Sequence, residues 1–403
     1  MPGHAGTGGR DVIFAWEQCK LGDVAEIVGG GTPSTKKSEY WNGNINWFSP
    51  AEIGNQIFVS HSQKQITELG LMKSSAKILP AGTILFTSRA GIGNTAILTR
   101  NACTNQGFQS IVPYSNKLDS YFIYSESAKL KRYGETMGSG STFTEVSGKQ
   151  MKKMSLHIPN INEQAKIGNM LKILDQTITL HEEKKRQLER LKSALLQKMF
   201  ADKSGYPVVR FKEFCDEWQG TKLRKISKIV RGASPRPISD PKWFDNDSNV
   251  GWLRISDVTS QDGRIHHLKQ HISKQGQAKT RVISEPHLLL SIAATVGKPL
   301  INYVKIGVHD GFLIFIEPQF DLEFMFQWLE MFRPQWSKYG QPGSQINLNS
   351  DLVKNQIIYL PSREEQNQIG IFLNQIDSLI NLHQQKINNI NSVKKSLLQK
   401  MFI

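Results

Sequence analysis

The sequence predicts an α+β protein made of two tandem, pseudo-symmetric, strand-rich domains, each followed by a long helix, with the two helices pairing as an antiparallel coiled coil. Three observations predict this fold. The chain repeats itself about 200 residues apart, the first part of each copy has short apolar runs between turn residues, and the last part has an apolar residue at every seventh position.

The repeat extends along almost the whole chain. Trp16–Val28 corresponds to Trp218–Val230, and residues 158–200 align with residues 360–402 without a gap, 18 of 43 positions being identical. Both copies end in Leu-Leu-Gln-Lys-Met-Phe. A repeat of this length is far longer than the unit of a solenoid, so we predict two whole domains in tandem.

Changes in the pattern of apolar and turn-forming residues along each copy divide the chain into six predicted segments. Runs such as Ile84–Phe86 and Phe312–Ile316, separated by Gly, Pro, Asn and Ser, predict strands in the first part of each copy. The segments are residues 1–13, disordered or left over from cloning; 14–158, the first strand-rich domain; 159–203, the first long helix; 204–217, a linker; 218–360, the second strand-rich domain; and 361–403, the second long helix.

Both long helices carry a heptad stripe. Asn160-x-x-Glu163 and Ser362-x-x-Glu365 predict capping boxes at their starts. At 1.5 Å per residue a helix of ~38 residues is ~57 Å long, which favours a coiled coil over the alternative, an amphipathic helix lying on its own domain. The residues predicted to pair are Ile167, Leu174, His181, Leu188 and Leu195, and Ile369, Ile376, His383, Ile390 and Leu397. The two histidines are predicted to face each other, the alternative being two independent surface side chains.

Charge is the most informative feature of the composition. The 403 residues include 50 Lys and Arg against 35 Asp and Glu, a net charge of +15. Such an excess favours a polyanionic partner such as nucleic acid, although a basic protein without one is the alternative. There is no apolar run of ~20 residues and no signal core at the N-terminus. The three dispersed cysteines form neither a metal motif nor a disulfide framework, so we expect a cytoplasmic protein.

The sequence contains no motif for catalysis or for metal binding. It lacks a phosphate loop, a dinucleotide-binding loop, a methyltransferase pocket of the Asn-Pro-Pro-Tyr type and a His/Cys cluster with metal spacing. Gly29–Lys37 and its counterpart Arg231–Arg236 combine glycine with positive charge. These loops either hold a phosphodiester through backbone amides and basic side chains or are simple turns between strands.

Polar side chains beside landmarks shared by the two copies are candidates for contact with base edges and phosphates. A structural role in a turn is the alternative for each of them. The segments 49–77 and 254–281 barely align, so they are predicted to contain discriminating residues. The DNA-binding candidates are Thr32, Ser34, Lys36, Lys37, Ser88, Arg89, Asn94, Asn105, Gln106, Ser141 and Thr142 in the first copy, and Ser234, Arg236, Lys298, His309, Ser344, Gln345 and Asn347 in the second.

The ordered set of motifs resembles the DNA-specificity subunits of type I restriction–modification systems over about residues 14–402. Each motif is weak alone, but the series occurs in order in both halves. The second half departs from it with Arg231 for Gly29 and Ile292-Ala293-Ala294 for Ser88-Arg89-Ala90. The motifs are Trp16…Lys20-Leu21-Gly22-Asp23, Gly30-x-Thr32-Pro33, Tyr40-Trp41-x-Gly43-x-Ile45-x-Trp47, Ser88-Arg89-Ala90-x-Ile92-Gly93, Asn105-Gln106-Gly107-Phe108 and Ile158-Pro159…Glu163-Gln164…Ile167.

The resemblance implies two target-recognition domains, each reading one part of a split, asymmetric site in double-stranded DNA, with the helices as a spacer. It implies two methyltransferase subunits and motor-nuclease subunits as partners. S-adenosylmethionine is then expected on the methyltransferase subunit, and this chain is expected to be non-catalytic and to bind no cofactor itself. The alternatives are a self-contained DNA methyltransferase or nuclease and a protein-only coiled-coil scaffold.

We expect DNA binding by this chain to weaken steeply with salt, because lysine and arginine contacts to phosphates release counterions. For six to ten such contacts the affinity falls ~10³–10⁵-fold between about 50 and 200 mM salt. Titrating a labelled duplex at several salt concentrations measures the slope. A slope near zero would favour the protein-only scaffold.

Overall fold

The computed structural model describes residues 16–402 except 55, 90, 139–144, 260, 294 and 337–347. The prediction for residues 1–13 lies outside the described part. The chain forms two compact units, unit 1 from Met1–Leu180 and Lys386–Ile403 and unit 2 from His181–Gln385. Among the described residues, no helix is long and apolar enough to cross a membrane.

The first copy alternates short strands and helices before its long helix. Its elements are β1 Glu17–Lys20, α1 Leu21–Val24, β2 Ala25–Gly29, β3 Trp41–Phe48, β4 Phe58–Val59, β5 Lys64–Ile66, α2 Glu68–Met72, β6 Ile84–Phe86, β7 Thr95–Leu98, β8 Cys103–Thr104, β9 Gln109–Pro113, α3 Ser120–Ser125, α4 Ser127–Gly138, α5 Gly148–Lys152, β10 Ser155–Ile158 and α6 Ile161–Lys198.

The second copy has a similar order. Its elements are β11 Gln219–Lys222, α7 Leu223–Ile226, β12 Lys228–Arg231, β13 Gly251–Leu253, β14 Arg264–Ile265, α8 Lys274–Gln277, β15 Arg281–Ile283, β16 Leu288–Ser291, β17 Pro299–Asn302, β18 Ile306–Val308, β19 Phe312–Ile316, α9 Leu322–Trp336, α10 Ser350–Asn355, β20 Ile357–Leu360 and α11 Arg363–Met401. Short 3₁₀ helices occur at Ser38–Tyr40, Pro50–Glu52, Pro241–Trp243 and Ile255–Thr259.

Each unit is built on the same five-stranded sheet, ordered β2-β9-β6-β7-β4 in unit 1 and β12-β19-β16-β17-β14 in unit 2. The central strand of each is completely buried, and it is apolar except for Ser291 at the end of β16, because both faces are covered. In unit 1, Ile84 and Phe86 belong to the core on one side and Leu85 to the core on the other. The α+β class predicted from the sequence is therefore confirmed.

The smaller sheets also share a plan. Their regular strands are ordered β5-β3-β8 in unit 1 and β13-β18-β15 in unit 2. The pairing of β15 with β18 recurs in unit 1 as an antiparallel bridge between Leu79 and Ala102, and the pairing of β5 with β3 recurs in unit 2 as a bridge between Gly251 and His271. The copies therefore differ in which pairing of the small sheet is regular, and the segments involved lie in or beside those that barely align in sequence.

In unit 1 the start of α6 packs antiparallel to the end of α11. Glu163 and Ile167 line one cavity with Lys400 and Met401. Two turns or more further along α6, Asp175 receives the Lys394 ammonium group and the Tyr121 hydroxyl at 2.8 Å.

Unit 2 contains the reciprocal arrangement. His181 and His383 face each other with 2.9 Å between their Nδ1 atoms, as the heptad pattern predicts. Lys192 pairs with Asp377, which also accepts the Gln327 side-chain amide at 2.8 Å. Lys192 and Asp377 are the residues that the repeat makes equivalent to the lysine and aspartate pair of unit 1.

The residues of the heptad stripe are not all buried to the same degree. Each helix lies partly on its own domain and partly in a helix pair, so both of the environments considered from the sequence occur. Ile167, Ile369 and Ile376 are buried and join the cores of the globular domains. The remaining predicted residues of the stripe, Leu174, His181, Leu188, Leu195, His383, Ile390 and Leu397, are half-buried. Each helix therefore lies on its own domain in its first half and pairs with a helix segment of the other copy.

The last phenylalanine of each Leu-Leu-Gln-Lys-Met-Phe motif enters an aromatic cluster. In unit 1, Phe402 lies 5.7 Å from Trp16 and 5.2 Å from Phe122 between ring centroids. In unit 2, Phe200 lies 6.5 Å from Trp218 and 5.2 Å from Phe324. The phenylalanine that follows each long helix therefore packs into the hydrophobic core of the globular domain in the other copy.

The predicted capping boxes need correction. Asn160 and Ser362 do cap the long helices, accepting the N–H groups of Glu163 and Glu365 at 3.1 and 3.3 Å. The acids bind tertiary partners: Glu163 accepts the Trp16 indole N–H at 3.3 Å, and Glu365 is bound by Arg210 through two bonds of 2.8 Å. Arg210 belongs to the predicted linker 204–217, which is therefore attached to α11 at this point.

We expect Phe200→Ala to lower the free energy of unfolding of unit 2 by about 3–5 kcal/mol, because truncating a buried Phe loses apolar contacts and leaves a cavity. Urea unfolding, with hydrogen exchange of the β16 and β19 amides, measures the change. Leu191→Ala is the control, since Leu191 lies on the same helix and is 49% exposed. Equal effects of the two variants would show that the aromatic cluster adds nothing.

Candidate nucleic-acid interface

A tight turn between β8 and β9 in unit 1 brings predicted site residues from three loops together. Asn105 accepts the backbone N–H of Gly107 through Oδ1 at 2.8 Å. Gln106 accepts the hydroxyl of Thr32 through Oε1. The backbone N–H of Ser88 donates to the Gly107 carbonyl oxygen at 2.8 Å. Short polar side chains such as Asn form this kind of turn readily, because they can accept a backbone N–H two residues ahead.

The turn between β18 and β19 in unit 2 repeats these bonds with different side chains. His309 accepts the backbone N–H of Gly311 through Nδ1 at 2.9 Å. Asp310 accepts the hydroxyl of Ser234 at 2.9 Å, and the backbone N–H of Ile292 donates to the Gly311 carbonyl oxygen at 2.9 Å. The histidine occupies the place of the asparagine and the aspartate that of the glutamine, so the backbone is shared while the chemistry differs.

A second loop beside each turn is capped in the same way in both units. The Ser49 N–H donates to the Glu52 carboxylate at 2.8 Å, and the Arg254 N–H donates to the Asp257 carboxylate at 3.0 Å. The Arg254 side chain also pairs with Asp257, with 3.2 Å between Nη2 and Oδ1. The residues that immediately precede these 3₁₀ helices, Ser49 and Arg254, are thus held in equivalent positions.

Positive charge surrounds the turn in unit 1. A methyl group placed on Gly107 would lie 3.5 Å from Arg89 Nε, so this guanidinium borders the turn. Lys36 and Lys37 are exposed on the loop that carries Thr32. These residues give the turn the cationic setting that a phosphate backbone requires.

Three arginines surround the turn in unit 2. Arg236 pairs with Asp310, with 2.8 Å between Nη2 and Oδ2, and Arg231 donates to the Asp310 carbonyl oxygen at 2.6 Å. Arg281 in turn donates to the Arg231 carbonyl oxygen at 2.7 Å. The second copy has no arginine at the position of Arg89, but the structure supplies cations from a loop and from the ends of β12 and β15.

The two ionisable side chains of this turn are shifted in the same direction. Burial lowers the pKa of His309 below its usual value of 6.5, with Arg236 and Arg231 acting in the same sense and Asp310 against them. Burial acts to raise the pKa of Asp310, but the Ser234 hydrogen bond and the neighbouring positive charges bring it below its usual value. The turn therefore carries a neutral histidine beside an ionised aspartate near neutral pH.

Several predicted site residues lie elsewhere or serve the fold. Ser88 is completely buried, so its predicted contact with DNA is wrong: a side chain without exposed surface cannot touch a duplex. Asn94 is half-buried and donates to the Ile53 carbonyl oxygen at 3.4 Å. Ser34 is exposed and Lys298 is half-buried, and their DNA contacts stay predictions. Ser141, Thr142, Ser344, Gln345 and Asn347 lie outside the described residues.

Sequence reasoning missed the acids that hold this surface and the helices. Glu52 and Asp257 cap the second loop, although the segments around them barely align. The Asp175–Lys394 and Asp377–Lys192 pairs could have been found, since aspartate and lysine recur at the same repeat offset within an apolar stripe. Among the described residues, no group of three or more His, Cys, Asp or Glu side chains could hold a metal ion.

Comparison with known proteins agrees with this architecture. The family described as "Type I restriction modification DNA specificity domain" matches residues 15–190 and again residues 215–392. The type I restriction enzyme MjaIX specificity subunit of Methanocaldococcus jannaschii is 34% identical over 252 residues, covering 60% of this chain and 57% of the relative. The EcoR124I/EcoR124II specificity subunit of Escherichia coli is 32% identical over 184 residues, covering 42% of this chain and 44% of the relative.

The matched region thus spans about half the length of these relatives. The crystal structure of the type I restriction–modification system S subunit from M. genitalium has the same fold, with a TM-score of 0.63 and 14% identity over 98% of this chain and 97% of that one. Two copies of one frame that present different polar turns define a duplicated two-domain protein. The chain belongs to the type I restriction–modification DNA specificity family.

We expect acidification to destabilise the turn at His309. A histidine whose pKa is lower in the folded than in the unfolded state stabilises the fold fully above about pH 6.5, and this contribution is lost as the pH falls through the folded value. Unfolding midpoints of the wild type and His309→Asn, compared from about pH 7.5 to about pH 5, test this. The variant should lose less stability over that range, and identical pH profiles would contradict the assignment.

Proposed function

We propose that this protein is the sequence-specific DNA-recognition subunit of a type I restriction–modification complex, each unit reading one part of a bipartite, asymmetric target. One observation carries the proposal: the same turn, held by the same three hydrogen bonds, presents asparagine and glutamine in unit 1 but histidine and aspartate in unit 2. Two readers with a common backbone and different side chains read different half-sites, so the target is not palindromic.

The net charge of +15 supports DNA as the ligand. The cations at the two turns come from loops and strand ends rather than from a helix that could enter the major groove, so binding is distributed over several short contacts. Phosphate contacts position such a surface, and a few side chains at the turns carry the sequence preference.

The proposal assigns chemistry to partner subunits. Both relatives are named as specificity subunits of a restriction enzyme, which implies other subunits for modification and cleavage. We infer two methyltransferase subunits, with S-adenosylmethionine bound on them, and motor-nuclease subunits in the complete assembly. Incubating the purified chain with duplex DNA and labelled S-adenosylmethionine tests this division, and methylation or cleavage by the chain alone would favour the self-contained enzyme instead.

Exchanging residues 16–158 for the corresponding domain of another family member should change one half of the target and leave the other half as it was, because the turns belong to separate units. Mapping methylated adenines in cells that express the complete system measures the target. The donor domain needs aromatic residues at the positions of Trp16 and Phe122, since these receive Phe402 in unit 1. A change in both halves would contradict independent reading.

A further inference from the structure

Asn105 and His309, the central residues of the two turns, each use one polar side-chain atom to hold the turn and have a second polar atom that the turn does not use. Asn105 uses Oδ1 to accept the Gly107 N–H, and its Nδ2 has no hydrogen-bond partner among the described residues. An amide nitrogen only donates, so the part of the side chain that remains available is a donor.

His309 also has one acceptor used by its turn and one donor that is not used, but these are the two nitrogens of an imidazole ring. The Gly311 N–H points at Nδ1, at 2.9 Å, so that nitrogen accepts and a neutral ring carries its proton on Nε2. Asp310 Oδ1 lies 3.1 Å from the same Nδ1, but an ionised carboxylate has no proton to donate, so the Gly311 N–H is the donor to that nitrogen. Like the amide of Asn105, the half-buried ring then has one polar group that the turn does not use, an N–H donor.

The surroundings of His309 form a recess rather than a flat surface. A cavity of about 490 Å³ is lined by His309, Arg254, Gln270, Trp252 and Phe244, among others. Arg254 has five N–H groups, of which the pair with Asp257 uses two. Gln270 lines the same recess on the side of β13, so polar groups converge on one opening with aromatic walls.

We infer that Asn105 and His309 are equivalent specificity-determining residues, each donating a hydrogen bond to a keto oxygen, guanine O6 or thymine O4, at one position of its half-site. In the major groove these two bases present a carbonyl acceptor where adenine and cytosine present an amino donor. A side chain whose acceptor is already used by its own turn can select the keto base but cannot make the paired contacts by which a free asparagine recognises adenine.

This inference rests on the proposed function. It distinguishes two roles of one residue, capping the turn and contacting a base, which a comparison of sequences does not distinguish. Capping the turn requires an acceptor at position 105 or 309, and reading requires a donor there. Aspartate supplies the acceptor and lacks the donor, so it keeps the turn and removes the reading group. Asparagine and histidine supply both, so exchanging them between the copies keeps both tasks.

The experiment uses the full chain assembled with its methyltransferase partner and a pool of duplexes with randomised sequence. Asn105→Asp should change the preference at one position of one half-site by about ten-fold, from guanine or thymine towards adenine or cytosine. His309→Asp should do the same at one position of the other half-site. Asn105→His and His309→Asn should keep a keto base at those positions. Urea unfolding midpoints close to that of the wild type establish that the turns are intact.

A negative charge by itself weakens binding to all sequences alike and alters the salt slope, whereas loss of a reading group alters one position. Asn44→Asp is the matched control, since Asn44 is exposed on β3 in unit 1 and the chemical change is the same. This variant should lower affinity uniformly and leave the selected sequence unchanged.

The outcomes separate the two levels of the argument. If the wild type selects a bipartite target and both aspartate variants select the same target with unchanged preferences, Asn105 and His309 are not the reading residues, and the proposed function still stands. If the wild-type complex selects no sequence, the proposed function fails and this inference fails with it. A shift that is confined to one position per variant supports both.

Discussion

The structure depends on the packing of each long helix into a core that its own copy does not contain. The aromatic cluster of unit 1 contains Trp16 and Phe122 from the start of the chain and Phe402 from its end. The corresponding cluster of unit 2 takes Phe200 from the end of the first helix. Fully burying a phenylalanine stabilises a domain by roughly 1.5–3 kcal/mol. Phe200 is buried and Phe402 is partly buried, so each core takes part of its stability from the other copy.

Charged pairs within the helix packing determine which residues meet. Lys192 and Lys394 lie at positions that an uninterrupted apolar stripe would fill, and they pair with Asp377 and Asp175, which follow the stripe residues Ile376 and Leu174. A shielded ion pair adds little net stability because desolvating both charges is costly, but leaving one partner unpaired costs several kcal/mol. Sliding one helix by a turn would leave these aspartates without their lysines. The pairs therefore favour a single register, which an apolar stripe alone would not specify.

The recognition surface follows a different rule from the core. The turn at Asn105 and the turn at His309 keep the same hydrogen bonds to the backbone, although not one of the side chains making them is identical. Side chains such as these carry one acceptor that holds the turn and one further group that is available to a ligand. The loop backbone can therefore stay the same while the group offered to the ligand changes. Arg89 in unit 1 and Arg254 in unit 2 illustrate the same freedom, since each cation comes from a different loop.

The sequence by itself determined the duplication, the α+β class, the heptad stripe and the facing histidines, because these depend on local periodicity and on comparing the chain with itself. It also selected Asn105 and His309 as candidates, but could not say that each caps its own turn. Only the tertiary structure decided that Ser88 is buried, that Glu365 binds Arg210, and that cations absent from the second motif come from Arg231 and Arg281. These facts depend on contacts between residues far apart in the chain, which no local pattern records.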